Sequence, residues 1–166
     1  MTDAELLNLA RALALLVIAN AAPVVGARLF GTRFNRPLDG GVKWRDRRPL
    51  LGRSKTIRGV VLAIVAGAIA GALLGIGGSN GALFGLAAMT GDCLSSFIKR
   101  RMGLPPGSQA PALDQIPEAA LPLIALRAEL GLDPAQIVIV VGAFFLVEML
   151  LWLLAWRLRL LRGRPY

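Results

Sequence analysis

The chain contains no histidine, so imidazole acid/base catalysis and imidazole metal sites are both excluded. Its one cysteine, Cys93, cannot close an internal disulfide and leaves the redox compartment open. Any resident metal must therefore be hard and oxygen-ligated. Acidic residues are scarce: 10 Asp and Glu stand against 19 Lys and Arg, a formal charge of +9. No low-complexity tract and no internal repeat is present. What fills the 166 residues is apolar: 55% are hydrophobic and the mean hydropathy is +0.62. High hydropathy together with high basicity suits a membrane protein whose charges are pushed into its loops.

A helix needs roughly 17–25 mainly apolar residues to span a bilayer, and five segments qualify. They run over about 5–29, 57–76, 81–98, 113–129 and 134–157. The fourth is the weakest, being interrupted by Glu118, Pro122 and Arg127. The sequence thus predicts an all-α, polytopic membrane protein with five transmembrane helices, forming a single domain over 1–166. If the C-terminus is cytoplasmic, the inner segments are about 28–58, 99–115 and 157–166. These hold all but Arg11 and Arg127 of the 19 basic residues. The outer segments Met1–Ala4, "GGSN" at 77–80 and "LGLD" at 130–133 hold none. The positive-inside rule then places the N-terminus outside, the C-terminus in the cytoplasm, and the main cytoplasmic loops at about 30–56 and 99–113. The charge is explained by a plasma-membrane location, without a nucleic-acid partner. "ANA" at 19–21 mimics a signal-peptidase site, but Asp3 and Glu5 replace the basic leader such a site requires. Gly67, Gly71 and Gly75 form one small-residue stripe, expected to seat a neighbouring helix. Trp152 and Trp156 read as interfacial anchors.

An ionised group deep in hydrocarbon costs about 2.5–3.5 kcal/mol, so each one demands a reason. Asp92, Ser95, Ser96 and Lys99 fall at i, i+3, i+4 and i+7, on a stripe about 100° wide. That stripe reads equally as an ion pair closing the helix end and as part of a site. The turn "GLPPGSQAPALDQ" then returns the chain to the same membrane face, so that Asp114 can converge on Asp92 with Lys99 and Arg100 beside them. Two carboxylates with adjoining cations suit Mg²⁺ and phosphate. "RSKTIRG" at 53–59 precedes the second segment, where Ser54 or Thr56 can cap the helix and Lys55 and Arg58 can meet an anion. The same residues also fit a flank that binds anionic lipid headgroups, and the glycine spacing is not that of a Walker loop. Asn20, before Pro23, and Glu148 read first as interhelical hydrogen-bonding groups and second as ligands. Asp39 and Asp46 read as loop salt bridges.

Three blocks, "NAAPVVGARLFG", "RPLDGGVKWRDRRPLLGRSKTIRG" and "GDCLSSFIKRRMGLPPGSQAPALDQ", resemble in order and spacing the archaeal CDP-archaeol synthases. These are distant relatives of the CTP:phosphatidate cytidylyltransferases. The resemblance implies a five-helix cytidylyltransferase facing the cytoplasm. It would join CTP to 2,3-bis-O-geranylgeranyl-glycerol 1-phosphate, with Mg²⁺, giving a CDP-activated lipid and pyrophosphate. It implies Asp92 and Asp114 as metal ligands, with Lys99 beside them in catalysis. Lys55, Thr56 and Arg58 match the "KTxRG" block expected to meet phosphates, and Ser96, Lys99 and Arg100 match an "SxxKR" block. Asn20 is a candidate for the nucleotide pocket. The wider signature has a histidine and a final "Asp-Arg-x-Asp"; here Pro117 stands in place of the second aspartate. This departure favours the archaeol branch over an ester-lipid enzyme, and leaves Glu118, Asp46 or solvent to complete the metal shell. A small transporter lined by Asp92, Asn20 and Glu148 is the first alternative, predicting flux without CTP. A lipid-binding scaffold is the second, predicting lipid binding that survives loss of both aspartates.

Overall fold

The computed structural model describes residues 2–157, except the side chains of Trp152, Ala155 and Trp156. The expected anchoring by Trp152 and Trp156, and the basic residues Arg159, Arg162 and Arg164, lie outside the described residues. Six helices follow in order: α1 (Asp3–Phe30), α2 (Ile57–Leu73), α3 (Gly78–Arg101), α4 (Gln115–Ala125), α5 (Arg127–Leu130) and α6 (Pro134–Arg157). Among the described residues there is no strand, only two isolated bridges, Pro37 with Thr56 and Lys43 with Pro49.

Three helices are long and apolar enough to cross a membrane: α1, α3 and the Pro134–Leu151 part of α6. The apolar α2 has 17 residues. Large apolar side chains such as Leu73, Val138 and Leu150 stand exposed around the bundle, as expected of surfaces that meet lipid. The fourth segment, the weakest in the sequence, is broken into two short helices. α4 has 11 residues, about 16 Å of helix against roughly 30 Å of hydrocarbon. It stops where Leu126 leaves helical geometry at φ −114°, ψ 25°, and the chain resumes as the single turn α5.

The core lies between α1, α3, α4 and α6, where Leu15, Leu16, Phe84, Leu123 and Phe144 are fully buried. The α2–α3 seam is built differently. Gly67 and Gly71 of α2 face Gly81 of α3, and Gly85 faces Ala63, with no room for a side chain at any of the four glycines. A methyl group on any of them would overlap a backbone carbonyl of the partner helix. Two of the three glycines of the expected stripe thus pack internally, by small-residue contact, while Gly75 lies beyond the end of α2 in left-handed backbone at φ 74°. Gly91 does the same for α4, whose Pro117–Glu118 backbone lies directly against it.

The ends of α1 and α3, the starts of α2 and α4, and the two polar loops all meet at one end of the bundle. Arg48 Nη1 donates to the carbonyl of Arg101 at 2.7 Å, and Arg101 pairs with Asp46 at 2.7 Å. Asp46 is therefore the loop salt bridge expected of it. Asp39 is not: its Oδ2 accepts from the amides of Leu51 and Gly52 at 2.9 and 3.0 Å, and its Oδ1 from Gly41 at 2.9 Å. Burial pushes the Asp39 carboxyl up, but these amides, Gly52 foremost, outweigh it and hold the group below the ordinary carboxylate range. A carboxyl lowered on folding stabilises the loop fully above its unfolded value of about 3.9, and that support is lost as pH falls through the lower native value. Hydrogen exchange at Leu51 and Gly52 should therefore stay protected from neutral pH to about 4. Asp39→Ala should lower that protection several-fold at neutral pH, by about 1 kcal/mol. Protection unaltered in the variant would show that the carboxylate does not organise the loop.

Candidate active site

Helix α2 begins at a polar cleft of about 250 Å³. Its walls come from α1 (Pro23, Ala27), the preceding loop (Arg53, Ser54, Lys55, Thr56) and α3 (Met89, Asp92, Cys93). Of the two candidate caps, Thr56 is the one used. It is extended, at φ −124° and ψ 149°, and its Oγ1 accepts from the amide of Gly59 at 3.1 Å. Gly59 lies against Pro23 of α1 at this end of the helix. The loop is held in register by Leu38, whose amide donates to the Lys55 carbonyl at 2.8 Å, and by Ile57, which donates to Arg36 at 3.1 Å.

Lys55 Nζ donates to Asp92 Oδ1 across the cleft, and each side chain is only about a fifth exposed. The stripe of polar residues on α3 is thus joined to the "KTxRG" block by its first member. Ser95 Oγ donates to the carbonyl of Asp92 at 2.9 Å, and Ser95 and Ser96 are buried. Arg58 lines the cleft, but its Nη1 donates to the carbonyls of Gly31 and Arg33 at 2.9 and 2.6 Å. One face of that guanidinium therefore caps the end of α1, a role the sequence did not suggest. Its Nε is buried without a partner.

A second ion pair forms two turns further along α3. Lys99 Nζ lies 2.5 Å from Asp114 Oδ1 and donates to the carbonyl of Ser108 at 2.9 Å. Asp114 stands at the N-cap position of α4, and its Oδ2 accepts from the amide of Ala110 at 2.9 Å. Its Oδ1 is buried and, despite the nearby ammonium, has no partner in hydrogen-bonding geometry. Arg100 is 2% exposed. Its Nη2 meets Ser108 Oγ at 3.4 Å, while Nε and Nη1 are buried without partners. The turn 102–113 folds back over these cations.

Asp92 and Asp114 therefore each take their own lysine. Pairing offsets part of the cost of burying each charge. Two further acids approach them. Glu118 of α4 is 8% exposed and lies within electrostatic reach of Asp92, Asp114 and Lys55. Glu148 of α6 lies near Gln115 and Glu118 of α4. Among the described residues no group of three or more Cys, Asp or Glu is placed to hold a metal by itself. The donor chemistry still suits Mg²⁺: the acids are carboxylates, and this ion commonly takes one or two carboxylates plus substrate phosphates.

Asn20 is not brought to the cleft; its Nδ2 donates to the carbonyl of Leu16 within α1 at 3.1 Å. Asn35, Arg53, Met89 and Cys93 line the cleft, and sequence reading missed them. Met89 was accessible to it, one turn before Asp92 on the same helical face; Asn35 carries no local signal. An apolar groove of about 390 Å³ lies between α1 and α2, walled by Ile18, Val25, Leu29, Leu62, Val65 and Ile69.

Residues 79–163 match the family model described as CarS-like CDP-archaeol synthase. A curated CDP-archaeol synthase of Methanopyrus kandleri is 46% identical over 100 residues, covering 55% of this chain and 56% of the relative. One of Aeropyrum pernix is 41% identical over 121 residues, covering 69% and 66%. The chain thus spans less than two thirds of the length of these relatives. A solved structure of an intramembrane enzyme for archaeal membrane lipid biosynthesis is similar with a TM-score of 0.74 and 32% identity, covering 86% of this chain and 91% of that one.

Proposed function

Because the chain belongs to the CDP-archaeol synthase family, we propose that it condenses CTP with 2,3-bis-O-geranylgeranyl-glycerol 1-phosphate. The products are the CDP-activated ether lipid and pyrophosphate. The cleft carries this reading. It gathers a lysine, a helix N-terminus and a paired carboxylate at one end of the bundle, and a separate groove between α1 and α2 is lined by apolar side chains. A lipid phosphate has the same division into charged head and prenyl chains.

In the reaction an oxygen of the lipid phosphate bonds to the α-phosphorus of CTP as the bond to the departing pyrophosphate breaks. No side-chain nucleophile is needed, so the work of the protein is positioning and charge neutralisation. Lys55, Arg53 and the first amides of α2 would neutralise phosphate oxygens, with Thr56 fixing the helix end. Asp92 holds Lys55 in place before substrate arrives. Lys99 and Arg100 would do the same for the second phosphate-bearing partner, with Ser96 packed beneath. Asn20 would act by shaping α1, since its amide is already engaged within that helix. Mg²⁺ held by Asp92, Asp114 and substrate phosphates would neutralise the polyphosphate further, with Glu118 nearby to complete its shell.

The reading places one domain over 1–166 in the plasma membrane. It has five crossings, α4 and α5 together making the fourth, with the N-terminus outside and the C-terminus in the cytoplasm. The gathering of Lys43, Arg53, Lys55, Arg58 and Lys99–Arg101 at one end supports a cytoplasmic cleft. Purified protein given labelled CTP and Mg²⁺ should yield a labelled lipid on thin-layer chromatography with the prenyl-ether phosphate. The yield should be far lower with an ester lipid phosphate and nil without Mg²⁺. Flux through the protein without any CTP turnover would reject the reading.

A further inference from the structure

Residues 42–50 form a small hairpin whose only described contacts beyond its own loop are with the last turns of α3. Lys43 and Pro49 bridge, the amide of Trp44 donates to Arg48 at 2.8 Å, and that of Leu50 donates to Val42 at 2.9 Å. Arg47 closes the tip in left-handed backbone, at φ 62°. Two of the hairpin's charges are engaged. Asp46 takes Arg101, and Arg48 takes the carbonyls at the end of α3. Arg101 also donates to the Pro49 carbonyl at 2.6 Å and lies 5.0 Å from the centre of the Phe97 ring. Trp44 meets the same ring edge-on at 5.5 Å.

What remains is three cations, Lys43, Arg45 and Arg47, all exposed and without a side-chain partner among the described residues. They share the hairpin with exposed Val42 and half-exposed Trp44. Its place on the bundle is set by α3, where Leu94, Phe97 and Arg101 stand at i, i+3 and i+7 on one face. Leu94 is 45% exposed and Arg101 ends this membrane-length helix. Along that face an apolar side chain gives way to a cation within two turns, and Trp44 lies against it at Phe97, near a helix end, where tryptophan is ordinarily enriched in membrane proteins. The hairpin is also clear of the cleft. None of residues 42–50 lines it, and Phe97–Arg101 lie about 8–14 Å beyond Asp92 along the helix.

We propose that this hairpin is a binding surface for the anionic headgroups of the membrane that holds the protein, with Lys43, Arg45 and Arg47 as the contacting cations and Trp44 as the interfacial anchor. The pinning by Asp46, Arg48 and Arg101 supplies the rigidity, so that little loop order is lost when lipid binds. This surface does not depend on the reaction proposed for the cleft.

Trp44 reports on it directly. The chain has three tryptophans, so the full-length W152F/W156F protein carries this one alone. In nanodiscs of phosphatidylcholine, brominated phosphatidylglycerol should quench Trp44 as strongly as about five times as much brominated phosphatidylcholine, roughly the enrichment one fully engaged cation supplies. The preference should disappear in K43Q/R45Q/R47Q, and should shrink in the unsubstituted hairpin as salt is raised to 1 M. Equal quenching by the two lipids would overturn the proposal, as would a preference that survives the triple substitution. A preference abolished by CTP or pyrophosphate would also overturn it, by showing that the cations serve soluble phosphates.

Discussion

Asp92→Asn should lower CTP-dependent turnover by at least about 100-fold, the loss that follows removal of one charge-stabilising group from a preorganised site. The substitution keeps the volume of Asp92 and removes the charge that meets Lys55. Three consequences follow together. The ammonium loses its orienting partner, the site loses a hard oxygen donor for Mg²⁺, and a cation is left unpaired in a low-dielectric cleft. Asp114→Asn should act similarly through Lys99. The check is steady-state turnover beside a thermal unfolding curve in the same detergent. A variant that unfolds near the parent temperature yet has lost turnover supports the assignment. Unchanged turnover in either variant would remove that aspartate from the site. Asp92→Glu should recover part of the loss, since it restores the charge at the wrong length.

Gly81→Leu is the second large effect, and it concerns folding. Gly81 lies against the backbone of Gly67 and Gly71, so even a methyl group would overlap main-chain atoms that cannot swing aside. Leucine must push α2 and α3 apart over the whole seam. The expected cost is at least about 3 kcal/mol, the upper end for overpacked sites. It should appear as a loss of monodisperse protein on size exclusion, or as a much lower unfolding midpoint. Gly142→Leu is the control, because a Cβ there meets nothing within 4 Å. Equal stability of the two variants would mean that the seam is not close-packed.

Much of this was readable from residue spacing. Hydropathy located α1, α2, α3 and α6 to within a few residues, because a helix in lipid must be apolar throughout and leaves little room for error. The fourth segment is legible as the weakest, through Glu118, Pro122 and Arg127, but nothing in "LIALRAEL" marks Leu126 itself as the residue that leaves helical geometry. The stripe from Asp92 to Lys99 was visible because helical periodicity is a local property. Asp114, the partner of Lys99, was within reach of the turn that follows, but the partner of Asp92 was not visible. Lys55 reaches Asp92 across 37 positions of sequence, and such pairings are set by how helices pack. Arg58 shows the same limit. Its neighbours in sequence suggested an anion, yet its Nη1 holds the end of α1. Asp39 was expected to pair with a cation and meets three amides instead, because a tight loop offers unpaired N–H groups closer than any side chain can reach.

The two ion pairs along α3 are mirror images in how they are mounted. In one the acid, Asp92, is fixed to the long helix and the base, Lys55, arrives on a loop. In the other the base, Lys99, is fixed and the acid, Asp114, arrives at the end of a turn. The fixed members are seven residues apart on one rod, about 10 Å, a separation that no loop rearrangement alters. The loop-borne members carry opposite charge. One helix thus works as a ruler with a lysine–aspartate pair at each of two marks, the acid on the rod at one and the base on the rod at the other.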